Sequence, residues 1–332
     1  MNKQRNSRPA RANPVGSLFG GLIRLGVMAA GGWIAYSYLG VNHHMALPKA
    51  IPAEQTVVGF RPTGSLNLYH DRQGDGPPLL LIHSINAAAS AYEMRPLFQH
   101  YRGRRPVFAL DLPGFGFSTR ADVTYTPALF VKAILAALDE IGSRPVDVVA
   151  LSLSSEFAAE AARQQPTRFR SLALISPTGF DNASADKRRY SGLLQELLTV
   201  PLWARPLYDL IATRRSIEYF LQKSFVGPVP PDYIDYCYAT AHQPGAEHAP
   251  LAFISGRLFT PNAVDAIYAA VQTPALVIYD RDAFVTFDRL PGFVEQHPSW
   301  RVERITPTCG LPHFERLEET AQVLDRFWQS LG

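Results

Sequence analysis

Cysteine is scarce. Cys237 and Cys309 are the only two in 332 residues, and neither stands in a Cys-x-x-Cys or His-rich context. That scarcity excludes a disulfide framework and leaves no zinc-type ligand set, so no metal is expected, and no cofactor is expected either. A surface of one charge is also lacking. The formal net charge of +3 comes from Lys3, Arg5, Arg8, Arg11 and Arg24, which have no acid among them, and the rest of the chain is slightly acidic. No basic face remains to track a phosphate backbone, which excludes nucleic acid as a partner. Residues 57–332 contain no internal repeat and no low-complexity stretch. A hydrophobic content of 47% is ordinary for a folded protein. The length suits either two domains or one α/β domain with an insertion.

Long apolar runs are rare too, with one exception. Residues 1–14 are polar and basic and are expected to be a disordered tail. Val15–Val41 is then apolar apart from Arg24, and Leu25–Val41 carries no charge. A helix over 15–41 would be long enough to span ~30 Å of hydrocarbon at ~1.5 Å per residue. Trp33, Tyr36 and Tyr38 lie where an interfacial belt would be, and the basic residues upstream favour an N-in orientation. The expectation is a single-pass membrane anchor with the folded domain on the non-cytoplasmic side. A cleaved signal peptide and a helix packed on a surface are the alternatives, although no Ala-x-Ala-like cleavage site follows the run. Residues 42–56 read as a linker.

The remainder alternates strand and helix. Thr56–Phe60 and Leu66–His70 read as an opening antiparallel pair. Leu79–Ile82, Val107–Leu110, Val146–Leu151, Ser171–Ser176, Ala275–Tyr279 and Arg301–Ile305 read as buried strands, several of them continuous apolar runs. Helices are expected near Ser90–His100, over Pro127–Ile141 with its 3.6-residue apolar stripe, from Ser154 to about Gln165, and over Glu318–Ser330. Such alternation implies a parallel sheet covered on both faces. From Gly179 to about Thr273 the strand rhythm stops. Leu193–Leu198, Trp203–Ile211, Ser216–Phe225 and Pro231–Ala241 are helical in composition there and rich in aromatics.

One short segment carries the chemistry. Val146–Glu156 is an apolar strand that stops at Ser152 and turns directly into a helix. This is the layout of a nucleophile elbow, in which small flanking residues let strand and helix cross closely. Glycine is usual at those flanks; here they are Ala150 and Ser154. Together with the His83 strand end and its small-residue loop, the stretch Asp111-Leu-Pro-Gly-Phe-Gly-Phe-Ser118, and the order Ser…Asp…His, the chain resembles the α/β-hydrolase family along residues 57–330. The resemblance implies a core of residues 57–178 and 274–332, with 179–273 inserted as a helical lid. It also implies a serine hydrolase.

A serine hydroxyl needs a base to take its proton, and the base needs a carboxylate to fix its tautomer. Ser152 is the expected nucleophile; Ser154 and Ser155 fall in the first helical turn, where packing or capping is their role. By resemblance His313, after the last strand and before the last helix, is the base. Asp282, in Asp-Ala-Phe-Val, is the acid, with Asp280 as rival and Asp181 a weaker one. The oxyanion hole would be the backbone N–H groups of Leu153, from elbow geometry, and of Ile85, by resemblance. His83 and Asn86 would brace the loop, and Asn86 could also touch substrate. Trp203, Tyr219 and Tyr236 are candidate substrate contacts in the lid, where aromatics also serve simply to bury a subdomain. The expected reaction is hydrolysis of an apolar carboxylic ester through an acyl-enzyme. Carbon–carbon bond hydrolysis, thioester hydrolysis, cofactor-free haloperoxidation, or a non-catalytic binding protein on the same fold are the alternatives.

Overall fold

The computed structural model describes residues 14–182, 196 and 198–332. It divides into two units, residues 1–41 and 42–332. In the first, helix α1 runs from Pro14 to Gly40. Among the described residues no helix is long and apolar enough to cross a membrane. This overturns the single-pass, N-in placement expected from residues 15–41. The stretch of α1 whose side chains are continuously described, Met28–Gly40, reaches only ~20 Å and includes Gly31, Gly32, Tyr36, Ser37 and Tyr38.

The second unit is built on one eight-stranded sheet in the order β1-β2-β4-β3-β5-β6-β7-β8. Its strands are β1 (Glu54–Phe60), β2 (Gly64–Asp71), β3 (Leu79–Ile82), β4 (Val107–Asp111), β5 (Val146–Leu151), β6 (Phe169–Ile175), β7 (Ala275–Arg281) and β8 (Trp300–Cys309). The pairs β1–β2 and β2–β4 are antiparallel, and the remaining neighbours are parallel. The central strands β3, β4 and β5 are buried along their whole length, which is why they appear in the sequence as unbroken apolar runs.

Alternate strand residues feed two cores. Leu80, Ile82, Phe108, Val148 and Leu174 pack with helices α3 (Pro127–Ile141) and α4 (Ser154–Gln164) on one face. Leu79, Leu81, Ala109, Val149 and Ile175 pack on the other face with α2 (Arg95–Tyr101) and the C-terminal helix Leu317–Gln329. On α4, Ala158, Ala159, Ala161 and Ala162 are all buried. Their short side chains bring this helix close under β5.

The Asp111–Ser118 stretch is a structural knot. Asp111 Oδ1 accepts from the Ala91 amide at 2.8 Å, and Oδ2 accepts from Asn67 Nδ2 and the Phe117 amide, both at 2.9 Å. Gly116 has φ +52°, and a Cβ placed on it would lie 2.0 Å from Asp111 Cγ, so only glycine fits.

Two departures from the sequence reading matter below. Within the 179–273 segment expected as a lid, residues 183–195 and 197 lie outside the described set, and with them most of the helix expected at Leu193–Leu198. The helices described between β6 and β7 include Ala204–Ile211, Arg214–Gln222, Pro231–Ala241 and His248–Ile254. At the other end of the chain, β8 does not stop at Ile305 but runs on to Cys309. Pro307 is tolerated because β8 is an edge strand, where a missing N–H costs no ladder bond. A short helix, Pro312–Glu315, then begins at once. The connection between them is only Gly310 and Leu311.

Candidate active site

Ser152 stands at the tip of β5 with φ 55°, in the left-handed region that a non-glycine residue enters only under strain. Its N–H donates to Ile175 O at 2.9 Å, and its half-buried hydroxyl has no partner among the described residues. The neighbouring serines are used up locally. Ser154 Oγ donates to His83 O at 2.6 Å and Ser155 Oγ to Ala150 O at 3.3 Å. The amides of the buried residues Leu153 and Ile85 find no acceptor among the described residues. Unpaired buried N–H groups are uncommon in folded proteins. Two such donors are what an oxyanion hole is built from.

The Ile85 loop is held by a residue that the sequence reading missed. Glu93 is buried and its carboxylate accepts from the Ser84 amide at 2.7 Å, Ser84 Oγ at 3.0 Å and Asn86 Nδ2 at 2.8 Å. Burial pushes its carboxyl above the ordinary range, and these three donors act against that push. The available signal was an isolated acid inside the apolar run Ala91-Tyr-Glu-Met94, a place where a charge is costly unless hydrogen-bonded. Asn86 thus braces the loop, and its Oδ1 also takes the Ala88 amide. His83 braces it as well. Its ring pairs with Ser84 O and the Leu112 amide, and burial lowers its pKa to about 4.

Asp282 lies just past β7, half-buried. Its Oδ1 accepts from the amides of Phe284 and Val285 at 2.7 and 3.2 Å, and burial raises its carboxyl above the usual value. Oδ2 takes no hydrogen bond and faces Gly310, where a Cβ would lie 3.0 Å away. Asp280 is committed elsewhere. It pairs with Arg304 Nε at 2.7 Å and accepts the Thr308 amide at 2.9 Å. Burial raises its carboxyl, but those partners outweigh it and the net shift is downward.

His313 makes no hydrogen bond or ion pair with Ser152, Asp280 or Asp282. It lies in the short helix, fully buried, with Nε2 2.7 Å from Glu93 O and Nδ1 without any partner. Burial depresses its pKa to about 4. A carbonyl can only accept, so Nε2 carries the proton and Nδ1 does not. A triad base needs the opposite tautomer, with Nδ1–H on the carboxylate and a free Nε2 on the serine.

The three aromatics expected to contact substrate differ in their surroundings. Tyr236 is buried with its ring centroid 4.9 Å from that of Tyr92. Trp203 is 36% and Tyr219 58% exposed. A cavity of about 10 Å³, lined by Ala87, Gly114, Arg120, Tyr208 and Thr240 among others, has room for a water rather than a substrate. A larger groove of about 260 Å³ lies along the β1–β2 edge beside His70, Arg72 and Arg102, and Ser152 does not line it.

The mostly parallel sheet carries a serine at a strained strand-to-helix turn, two open amides in the connections after β3 and β5, and an acid just past β7. The model of the alpha/beta hydrolase family matches residues 79–323, most of the chain. The chain belongs to that family. Among its curated relatives, a 2-hydroxymuconate semialdehyde hydrolase of Pseudomonas putida is 35% identical over 111 residues, 33% of this chain and 39% of that protein. A haloalkane dehalogenase of Agrobacterium fabrum is 28% identical over 116 residues, 35% of this chain and 38% of that protein. The match therefore spans about two fifths of the relatives' own length. Two solved structures share the fold of this family member. A serine hydrolase involved in carbazole degradation superposes with a TM-score of 0.67 at 17% identity, covering 83% of this chain and 98% of that one. A bacterial membrane phospholipase A gives 0.64 at 22% identity, covering 95% and 98%.

Proposed function

We propose that this protein acts on carboxylic esters through Ser152. The observation that carries the reading is the hydroxyl of Ser152, strained and unpartnered among the described residues, together with the acceptor-free amides of Leu153 and Ile85. A substrate carbonyl oxygen seated on those amides would expose its carbon to Ser152 Oγ. Attack forms the ester bond to serine and breaks the bond to the alcohol, which leaves with the serine's proton. Water then adds to the acyl-serine, and the acid departs. Serine at the elbow argues against a dehalogenase, which uses aspartate there, despite the dehalogenase relative. The relative that is a semialdehyde hydrolase keeps carbon–carbon bond cleavage as the alternative substrate class.

The position of His313 favours a second reading, in which the site captures acyl compounds with little turnover. One experiment addresses both. Full-length protein is treated with a fluorophosphonate probe and, separately, with a series of p-nitrophenyl esters of increasing chain length, with Ser152→Ala as the control. Covalent labelling confined to Ser152 is expected. Folded protein in which the label lands elsewhere, or survives in Ser152→Ala, refutes the assignment of the nucleophile.

A further inference from the structure

We propose that His313 is a strut for the oxyanion loop rather than the general base, and that Gly310 and Leu311 hold the position beside Asp282 where the base would stand. The proposal rests on Ser152 being the nucleophile. Its consequence is a serine that is acylated without help from a histidine.

An inventory of histidine carries the first part. The chain has nine, and residues 1–13, 183–195 and 197 contain none, so every one is described. His43 sits on Asp209, His70 on Thr56 and Glu54, and His83 on Ser84 O and the Leu112 amide. His100 faces Arg104 and Glu318, His242 bonds Tyr238 O, His248 faces Asp122 and Glu247, and His297 bonds Phe293 O. His44 is exposed, and only its backbone bonds. His313 is on Glu93 O. None forms a hydrogen bond or ion pair with Ser152 or Asp282.

The connection after β8 explains why. With β8 ending at Cys309 and the next helix starting at Pro312, two residues span the gap in front of Asp282. Glu315 fixes this connection by accepting the Cys309 amide at 2.8 Å, while its other oxygen takes the Val226 and Gly227 amides at 2.6 and 3.1 Å. The unbonded Oδ2 of Asp282 looks onto Gly310, which has no side chain to offer it. His313 has already entered the helix, where its Nε2–H meets the Glu93 carbonyl.

That contact has its own use. The Glu93 backbone is held by His313, and the Glu93 carboxylate holds both the N–H and the hydroxyl of Ser84, directly before Ile85. His313 and Glu93 are thereby positioning residues for the Ile85 amide. Ser84 adds a hydroxyl donor that a glycine at this position would lack.

Fluorophosphonate labelling rates of the full chain test the proposal in wild type, His313→Gln, Leu311→His and Ser152→Ala. Glutamine keeps an N–H donor for Glu93 O. Wild type and His313→Gln should label within about threefold of each other, with rates that climb about tenfold per pH unit and reach no plateau between about pH 5 and 9. Leu311→His should label at least about tenfold faster and show a plateau, a gain lost on adding Asp282→Asn. A fall of more than about 100-fold in folded His313→Gln overturns the proposal, because a general base contributes on that scale. A plateau in the wild-type profile overturns it as well, and this measurement stands even where His313→Gln does not fold. No labelling of wild type with labelling of Leu311→His supports it. If folded wild type and Leu311→His are both inert, the Ser152 reading itself falls, and the proposal falls with it.

Discussion

Replacing His313 with glutamine should reverse its order of stability with wild type as the pH falls. His313 is buried, and burial holds its pKa near 4 in the folded protein, against ~6.5 in an unfolded chain. Below pH ~6.5 the unfolded state takes up a proton that the folded state refuses, so stability falls as pH falls. The slope is about 1.4 kcal/mol per pH unit, reaching a loss of about 3 kcal/mol near pH 4. His83, also depressed to about 4, adds a second loss of the same sign. Glu93 and Asp111, whose carboxyls burial raises, act in the opposite direction, so the wild-type profile alone is a composite. The difference between wild type and His313→Gln isolates the one ring. At pH 7 the variant should be less stable by about 1–2 kcal/mol, an ordinary cost for a buried substitution. Urea unfolding at several values between about pH 7 and 4 should then show the gap closing and changing sign. A constant gap would mean that the ring titrates as in the unfolded chain. A gap that widens towards low pH would mean that the imidazolium is stabilised by a carboxylate, as in an assembled triad, and would refute the geometry described here.

Gly116→Ala should cost about 3 kcal/mol or more, from a Cβ driven into Asp111 at positive φ, read as loss of soluble protein or a lowered urea midpoint. Asp147→Ala, which strands Arg105 and Arg170 with no carboxylate between β5 and β6, should destabilise by about 3–5 kcal/mol in the same assay. Asp280→Asn should lower the melting temperature more than Asp282→Asn, because only Asp280 bonds an arginine and the β8 backbone. Ser152→Gly should raise stability by about 1 kcal/mol, since glycine enters positive φ without a Cβ penalty.

The sheet was legible because strands buried on both faces must be apolar throughout, and Leu79–Ile82, Val107–Leu110 and Val146–Leu151 are. The left-handed turn at Ser152 was legible because a strand that breaks directly into a helix at a small polar residue leaves few other conformations. The Asp111–Ser118 stretch was legible because its glycines and its acid are spaced to meet. The C-terminal end was not. Thr306-Pro-Thr-Cys-Gly310 has the composition of a loop, yet edge position lets Pro307 stay in β8, and this shortens the connection that follows. Glu93 was passed over because its partners, Ser84 and Asn86, lie several residues upstream in a loop whose shape composition does not give. The apolar residues of 15–41 drew the anchor reading through their length and their lack of charge.

The two-residue connection between β8 and the Pro312 helix behaves like a phase setting. Each residue of a helix advances the side-chain direction by ~100° and the axis by ~1.5 Å. Adding or removing one residue ahead of Pro312 would therefore re-aim every group on that turn at once, without altering a single functional side chain. Chains in this family can thus carry the same serine, aspartate and histidine in the same order and differ in which way the imidazole points. Here the span from Cys309 to Pro312 aims it at a backbone carbonyl. In such a fold, chemical competence is encoded in the count of residues between landmarks as firmly as in their identity.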